Sequence, residues 1–136
     1  MKKYLFVLAA LFLFSSGSFA QDVNKQNGAV ITFEKKSHDF GDIFQGDKVE
    51  ETFKFTNTGT EPLIITNVQV TCGCTTPKGW PRDPIMPGGK GEITVAFDSA
   101  GKNGRQNKVV TIVSNAVNTD GGQISFVTNV LDKKPQ

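Results

Sequence analysis

Two cysteines one residue apart, Cys72 and Cys74, are the residues of this chain best suited to chemistry, and they are its only cysteines. They stand in the segment Thr71-Cys72-Gly73-Cys74-Thr75, in a chain that begins with the pattern of an export signal. Cysteine in an exported protein is usually half of a disulfide or a ligand for a soft metal. Three interpretations follow: a local disulfide or buried thiol pair, a thiol-exchange site, and a metal site.

A disulfide between these two cysteines requires a bend in the chain. In an extended strand, residues two apart face the same side with Cα atoms roughly 6.6 Å apart, near the upper limit for a disulfide. A kink at Gly73 would close the gap, because glycine tolerates backbone conformations that other residues avoid. Chain entropy gives a three-residue ring only about 1.6 kcal/mol, against about 3 kcal/mol for a fifteen-residue loop. We therefore favour a cysteine pair that shapes the strand end and contributes little stability.

The two alternatives each lack a component. A thiol-exchange site needs a lowered thiol pKa, and the nearest basic residues, Lys78 and Arg82, follow Pro77 in a predicted loop. A readily reduced disulfide would nevertheless suit exchange better than stabilisation. A Cu(I) or Zn(II) site would use both thiolates, with the Met86 thioether as a further ligand. Zinc ordinarily takes four ligands, and the single histidine, His38, lies far away in the sequence.

No other pattern in the sequence is typical of catalysis. His38 precedes Asp39, but no serine or cysteine in a glycine elbow is available as their nucleophile. Residues 88–91 are rich in glycine, yet they lack the upstream glycine and the following Ser or Thr of a phosphate loop. The sequence therefore predicts a protein that is not an enzyme and uses no cofactor.

Residues 1–20 have the pattern of a cleaved secretory signal. Two lysines give a basic start, residues 5–14 form an apolar run too short to span a bilayer, and Ser-Phe-Ala at 18–20 suits cleavage. We expect cleavage after Ala20, with residues 21–29 forming a flexible segment. No cysteine directly follows the apolar run, so a lipid anchor has no acceptor. The sequence thus predicts a periplasmic or secreted protein without stable membrane insertion after cleavage.

The charge balance argues against nucleic acid as a partner. The full chain has 15 Lys and Arg against 13 Asp and Glu. Because Lys2 and Lys3 belong to the predicted signal, the exported chain has 13 of each. Binding to nucleic acid relies on a basic surface that releases counterions from phosphate. A neutral chain without a basic stripe lacks that surface.

Short alternating segments separated by turn residues predict an all-β domain over residues 30–131, followed by a tail at residues 132–136. Alternation of apolar and polar residues is clearest over residues 48–57 and 92–98. Residues 62–70 form a continuous apolar and β-branched run, which is typical of a covered strand. About seven strands with no helical period favour an immunoglobulin-like antiparallel two-sheet sandwich.

Turn residues between these segments lead to three further predictions. Asn103-Gly104 is a two-residue hairpin signal that predicts pairing of the strands on either side. Asn57 is expected to bond its own backbone two residues on. Gly41, Gly46 and Gly59 are expected to take positive φ where the chain turns between strands.

A set of short motifs follows in a fixed order along the chain. These are Asp39-Phe40-Gly41-Asp42-Ile43, Gly46-Asp47, Phe53-Lys54-Phe55-Thr56-Asn57-Thr58-Gly59, Pro62-Leu63, Cys72-Gly73-Cys74-Thr75, Pro84-Ile85, Pro87-Gly88 and Ser114-Asn115. Together they resemble the exported bacterial family catalogued as domain of unknown function 1573, over nearly all of the exported chain. That family resembles Hydin-type and major-sperm-protein-like immunoglobulin sandwiches. The resemblance implies a non-catalytic module that binds or organises other proteins.

The implied partner is another protein of the cell envelope. Sandwich modules that lack a cleft bind through sheet edges and loops. Trp80 is the candidate interaction residue, because it lies between Gly79 and Pro81 in a proline-rich loop. Its ring either packs over the end of the sandwich or is displayed to the partner.

Overall fold

The computed structural model describes residues 27–133, which form two packed four-stranded sheets. The predicted immunoglobulin-like β-sandwich is confirmed. The predicted signal at residues 1–20 lies outside the described residues. Residues 27–133 contain no helix that is long and apolar enough to cross a membrane. The elements are β1 (Ile31–Phe33), β2 (Ser37–Phe44), β3 (Lys48–Asn57), β4 (Ile65–Val70), β5 (Thr75–Gly79), β6 (Lys90–Asp98), β7 (Gly104–Ser114), a 3-10 turn (Thr119–Gly121) and β8 (Gln123–Leu131).

Strand order defines four sheet edges. The first sheet has the order β1-β3-β6-β5 and the second has the order β2-β8-β7-β4. Neighbouring strands are antiparallel except β2 and β8, which run parallel. The structure therefore refines the prediction of about seven antiparallel strands to eight strands within residues 27–133, with one parallel pair. Strands β1 and β5 are the edges of the first sheet, and β2 and β4 are the edges of the second.

The predicted hairpin at Asn103-Gly104 is wrong, because β6 and β7 lie in different sheets. The connection between them crosses from one sheet to the other. Ser99 fixes this crossing: its buried hydroxyl lies 3.0 Å from the carbonyl oxygen of Phe44 and 2.7 Å from that of Asp47. Gly104 does take a left-handed backbone conformation, with φ of 74°. Gly104 therefore has the backbone conformation of a turn residue, but the segment it belongs to connects two sheets and not two paired strands.

Aromatic side chains from both sheets form the centre of the core. Alternation in β3 turns Phe53 and Phe55 inward, and each is 1% exposed. Phe97 of β6 and Phe126 of β8 meet between the sheets with ring centroids 5.4 Å apart. Burial of a phenylalanine side chain contributes about 1.5–3 kcal/mol. Since β6 and β8 are inner strands, this contact joins the sheets near their middle.

A fully buried amide, that of Asn57, joins three segments at one end of the sandwich. Its Oδ1 accepts hydrogen bonds from the amides of Val30 (3.3 Å) and Gly59 (3.0 Å). Its Nδ2 donates to the carbonyl oxygens of Glu61 and Ile85, both at 2.8 Å. The predicted bond to the backbone two residues on is confirmed. Because every donor and acceptor site of this amide is used, its burial carries no unsatisfied group.

Glycine serves two different purposes in this fold. Gly41 takes φ of 70° at a register shift in β2, as predicted. The prediction of positive φ at Gly59 is wrong. Gly59 is required there because a Cβ atom would overlap the backbone of Gly28 and Val30. Ala29 is also buried, so packing already begins before residue 30.

Candidate functional site

The cysteine segment forms the turn that leaves one sheet and enters the other. It follows β4, an edge of the second sheet, and precedes β5, an edge of the first. A disulfide joins Cys72 to Cys74, whose Cα atoms lie 5.2 Å apart. The Thr75 amide donates to the Cys72 carbonyl at 3.1 Å, which closes the turn. A disulfide was expected to require a bend in the chain at Gly73, and this tight turn is that bend.

The chain bends around Gly73, but the bend does not depend on the special freedom of glycine. The φ angle of Gly73 is not positive. A Cβ atom placed on it would meet no described atom within 4 Å. The turn hydrogen bond supplies the bend instead, and such turns accept most residue types.

The two sulfur atoms have different surroundings. The Cys74 amide donates a hydrogen bond to Sγ of Cys72 at 3.2 Å. Cys74 is half-buried, packs partly against the core and has its Sγ 3.9 Å from the Thr75 hydroxyl. Its carbonyl accepts the Asp98 amide at 2.8 Å, which ties the turn to the end of β6. Cys72 therefore has a backbone donor at its sulfur, and Cys74 has contact with the fold.

An open groove of about 360 Å³ lies beside Cys74 on the first sheet. Ala96 of β6 lines this groove between β3 and β5, and the groove is deep there because the alanine side chain is small. Lys78 reaches across to Glu50, with Nζ 3.1 Å from Oε2. The remaining charged residues of the lining are Lys48 and Asp98. The groove thus carries two cationic and two anionic side chains.

The predicted copper or zinc ligand set is not assembled. Cys74 lies beside Asp98, the last residue of β6, whereas Met86 lies in the loop that leads into the first residue of that strand and is 60% exposed. The two ends of β6 are roughly 26 Å apart at 3.3 Å per residue, so the two residues lie towards opposite ends of the strand. His38 lies on β2, the opposite edge of the second sheet from β4. Residues 27–133 contain no group of three or more His, Cys, Asp or Glu that could hold a metal ion.

Of the two positions considered for Trp80, the structure shows the packed one. The half-buried ring packs against the core. The guanidinium carbon of Arg82 lies 3.9 Å from the ring centroid, in a cation–π contact that covers the ring. His38 likewise takes part in a local cluster: its Nδ1 lies 3.0 Å from Nζ of Lys35, and its Nε2 lies 3.5 Å from Oε2 of Glu51. Neither residue is presented as a reactive group.

Three of the four sheet edges carry features that discourage pairing with another strand. Edge strands are protected by shortness, charge, proline and bulges. The edge β1 has only three residues. The edge β2 has a register shift between Asp39 and Asp42, both exposed and acidic. The edge β5 contains Pro77 and Lys78 and has a register shift of its own.

The fourth edge, β4, is the least protected of the four, although Oδ1 of Asn67 accepts a hydrogen bond from the Val68 amide at 2.9 Å. No charged residue occurs anywhere in residues 62–77, and β4 itself has no proline. A register shift falls at its first residues, between Ile65 and Asn67, and the pairing with β7 is regular from there to Val70. The sequence shows the uncharged run, but only the topology shows that it forms an edge. This surface was missed by reasoning from motifs.

A charged contact lies next to the start of the β2 edge. Lys36 pairs with Asp120 of the 3-10 turn, with Nζ 3.5 Å from Oδ2. The pKa of Asp120 lies below its ordinary value, first because Asn118 donates a hydrogen bond to the carboxylate at 2.9 Å and then because of the Lys36 charge. The β2 side of the second sheet is therefore polar and ionic, in contrast to β4.

These features define the class of the protein: an immunoglobulin-like β-sandwich module with one disulfide-closed turn. Residues 31–130 match the model of the family described as "Protein of unknown function (DUF1573)". The chain belongs to that family. The search of curated proteins found no match.

Solved structures with the same fold come from several sources. One is a protein of unknown function from Porphyromonas gingivalis W83, with a TM-score of 0.63, 20% identity, and coverage of 82% of this chain and 51% of that chain. Another is the ASH / PapD-like domain 7 of human CEP192, with a TM-score of 0.59, 11% identity, and coverage of 88% and 98%. A third is the secreted serine protease VesC from Vibrio cholerae, with a TM-score of 0.60, 14% identity, and coverage of 78% and 24%. The chain thus spans about half of the P. gingivalis structure, and at these identities the similarity shows the fold alone.

Proposed function

We propose that this protein is a non-catalytic, exported immunoglobulin-like module that binds another protein of the bacterial cell envelope. The observation that carries the proposal is the uncharged edge strand β4, whose only register shift lies at its start. An exposed strand edge offers unpaired backbone donors and acceptors, and an extended peptide can add to it as a further strand. Backbone hydrogen bonds supply the affinity in this binding mode, so no cleft or cofactor is needed.

The composition of β4 indicates the kind of segment that would bind. Asn67 and Gln69 are exposed on this strand, and the nearest charged residues in the sequence are Glu61 and Lys78, outside the uncharged run. Directly opposed side chains on paired strands interact, and a charge on the incoming strand would find no opposite charge there. The proposed occupant is therefore an extended, uncharged segment of the partner protein.

Both ends of β4 are held in place, so the strand is already ordered for pairing with an incoming segment. Before β4, Leu63 pairs with Ile85 through hydrogen bonds of 2.8 and 2.9 Å, and Asn57 binds the Ile85 carbonyl. After β4, the disulfide turn joins the strand to β5. A preordered strand loses less conformational entropy on binding than a mobile one.

Export is supported by the sequence pattern described above, which is that of a secretory signal at residues 1–20. A disulfide between Cys72 and Cys74 fits an oxidising compartment such as the periplasm. Amino-terminal sequencing of the protein recovered from the periplasm and the medium tests this part of the proposal. A mature chain that begins at Gln21 supports it, and a chain that retains Met1 contradicts it.

Site-specific photocrosslinking in cells tests the binding edge. A photoreactive residue at Asn67, exposed on β4, is compared with one at Asn107, exposed on the inner strand β7. We expect one defined envelope protein to be crosslinked at position 67 and not at position 107. The purified partner is then expected to protect the β4 amides from hydrogen exchange. Equal crosslinking at both positions, or a complex that leaves β4 unprotected, contradicts the proposal.

The double variant C72S/C74S separates this function from chemistry at the cysteines. It is expected to fold and to keep the crosslink at Asn67, because the edge lies outside the disulfide ring. Loss of the crosslink from a folded double variant would mean that the cysteines, rather than the β4 edge, carry the interaction.

A further inference from the structure

We propose that the Cys72–Cys74 disulfide is a thiol–disulfide exchange site, at which an incoming thiolate attacks Sγ of Cys74 and Cys72 leaves as the thiolate. The co-reactant is a thiol compound, either a low-molecular-weight thiol or a pair of cysteines in another exported protein. This activity goes beyond the proposed binding function and does not rest on it, because it uses the turn after β4 and not the strand edge.

The turn is held by bonds that do not depend on the disulfide. The Thr75 amide binds the Cys72 carbonyl at 3.1 Å, and the Asp98 amide binds the Cys74 carbonyl at 2.8 Å. The disulfide closes a ring of only three residues, so it restricts the unfolded chain very little. Opening the bond therefore leaves the turn and both flanking strands in place. A bond that contributes little to folding is free to serve as a reactive one.

The difference between the two sulfur atoms gives the exchange its direction. The Cys74 amide donates to Sγ of Cys72 at 3.2 Å. A backbone amide donor stabilises the negative charge that builds on a leaving sulfur, so this contact favours Cys72 as the sulfur that leaves with the electron pair. Attack is therefore directed at Cys74.

The groove beside Cys74 provides access for the attacking thiol. It is open to solvent, and Cys74 lies in its lining next to Ala96. Lys48 and Lys78 offset Glu50 and Asp98 within the same lining, so an approaching thiolate meets no net negative charge.

The exchange balances in two steps. In the first, the incoming thiolate bonds to Sγ of Cys74, the Cys72–Cys74 bond breaks, and its electron pair stays on Sγ of Cys72, which takes a proton from water. In the second, another thiolate, from a second cysteine of the protein co-reactant or from a second low-molecular-weight thiol, attacks the co-reactant sulfur bonded to Cys74. Cys74 leaves as a thiolate and takes a proton from water. The co-reactant ends as a disulfide, oxidised by two electrons, and the chain ends with two thiols.

Trapping of the mixed disulfide tests the direction of attack. The oxidised exported chain is exposed briefly to glutathione, quenched with acid, and alkylated, and the modified cysteines are located by peptide mass spectrometry. We expect glutathione on Cys74 and the alkyl group on Cys72, in at least a tenfold excess over the reverse arrangement. The oxidised peptide of residues 71–75 is the matched control, and it is expected to show a smaller preference. Equal labelling of the two cysteines, or the same preference in the peptide, overturns the proposal.

Two further arms identify the co-reactant and exclude a purely structural bond. Reduced, unfolded ribonuclease A replaces glutathione at equal thiol concentration: faster reduction of the chain by ribonuclease indicates protein thiols, and faster reduction by glutathione indicates a low-molecular-weight thiol. No reduction by either overturns the proposal. Circular dichroism of the reduced chain is expected to match that of the oxidised chain, whereas unfolding on reduction identifies a structural staple.

The outcome is separable from that of the binding proposal. The variant Q69K changes the β4 edge and is expected to leave the exchange rate unchanged. Exchange that fails while the Asn67 crosslink persists refutes only the redox proposal, and the opposite result refutes only the binding proposal.

Discussion

The two edges of the second sheet, β2 and β4, are built in opposite ways. The β2 edge has acidic side chains at Asp39 and Asp42, a register shift at Gly41, and the Lys36–Asp120 ion pair at its start. The β4 edge has no charge, and its pairing with β7 is regular over its last four residues. Both are edges of one sheet, so the requirements of the fold are similar for both. The difference indicates that β2 is protected from strand addition and that β4 is available for it.

Removal of the Asn57 amide is expected to have the largest effect on stability. It tests whether this amide holds the segment that leads into β4. The change N57A leaves the amides of Val30 and Gly59 and the carbonyls of Glu61 and Ile85 without this partner. Since each buried unsatisfied group costs about 1–3 kcal/mol, we expect a loss of about 3–5 kcal/mol in the free energy of unfolding. Urea denaturation measures it. The exposed Asn107 on β7 gives the control N107A, expected to stay within about 0.5 kcal/mol of the wild type.

A pair of glycine substitutions compares the loop that precedes β4 with the cysteine turn that follows it. The change G59A forces a Cβ atom into the backbone of Gly28 and Val30 and is expected to cost about 2 kcal/mol or more. The change G73A, in the cysteine turn, places its Cβ in open space and is expected to cost less than about 0.5 kcal/mol. Thermal unfolding measures both. Equal losses of stability in the two variants would show that the cysteine turn is packed as tightly as the loop around Gly59.

Transfer of a β2-like charge to β4 tests the comparison directly. Gln69 of β4 and Gln123 of β8 both oppose Thr111 of β7, and both are exposed. The change Q69K is expected to lower partner affinity about tenfold, which is about 1.4 kcal/mol. The readout is the yield of the crosslink from position 67. Its matched control Q123K adds the same charge on an inner strand and is expected to leave the yield unchanged; an equal loss in both variants would point to net charge rather than the edge.

Acid titration gives the smallest effect and concerns the β2 side. The pKa of the Asp120 carboxyl is lowered in the folded chain by Asn118 and Lys36. A carboxyl with a lowered folded pKa contributes stability above its unfolded pKa, near 3.8, and that contribution is lost as the pH falls through the folded value. The variant D120N is therefore expected to show a slightly shallower loss of stability below about pH 4. An identical acid profile in both proteins would show that this ion pair does not stabilise the β2 side.

The sequence predicted the strands whose residues alternate regularly and missed those that contain turn residues. Alternation over residues 48–57 and 92–98 corresponds closely to β3 and β6. Strand β2 was not predicted because Gly41 interrupts it, and β5 was not predicted because Pro77 lies within it. Both are edges, where glycine and proline are tolerated since one side of the strand needs no partner. Local patterns therefore describe inner strands better than edges.

The candidate sites were predicted unevenly for a related reason. The nearness of Cys72 to Cys74 is set by the chain itself, so the sequence could bring them together. The proposed addition of Met86 failed because sequence distance does not show at which end of β6 a loop lies. The Asn103-Gly104 hairpin failed in the same way: a turn signal does not state whether the next strand stays in its sheet or crosses to the other.

By itself, the sequence determined the β-sandwich class, the identity of the core residues in β3 and β6, and the adjacency of Cys72 and Cys74. These depend on side-chain period, apolar burial and chain connectivity, which act over a few residues. Only the tertiary structure decided that the uncharged run at residues 62–77 contains a sheet edge, that the cysteines close a turn between two sheets, and that the Cys72 sulfur accepts a backbone amide. Those facts depend on long-range strand pairing, and a strand is an edge only by virtue of which other strands the chain places beside it.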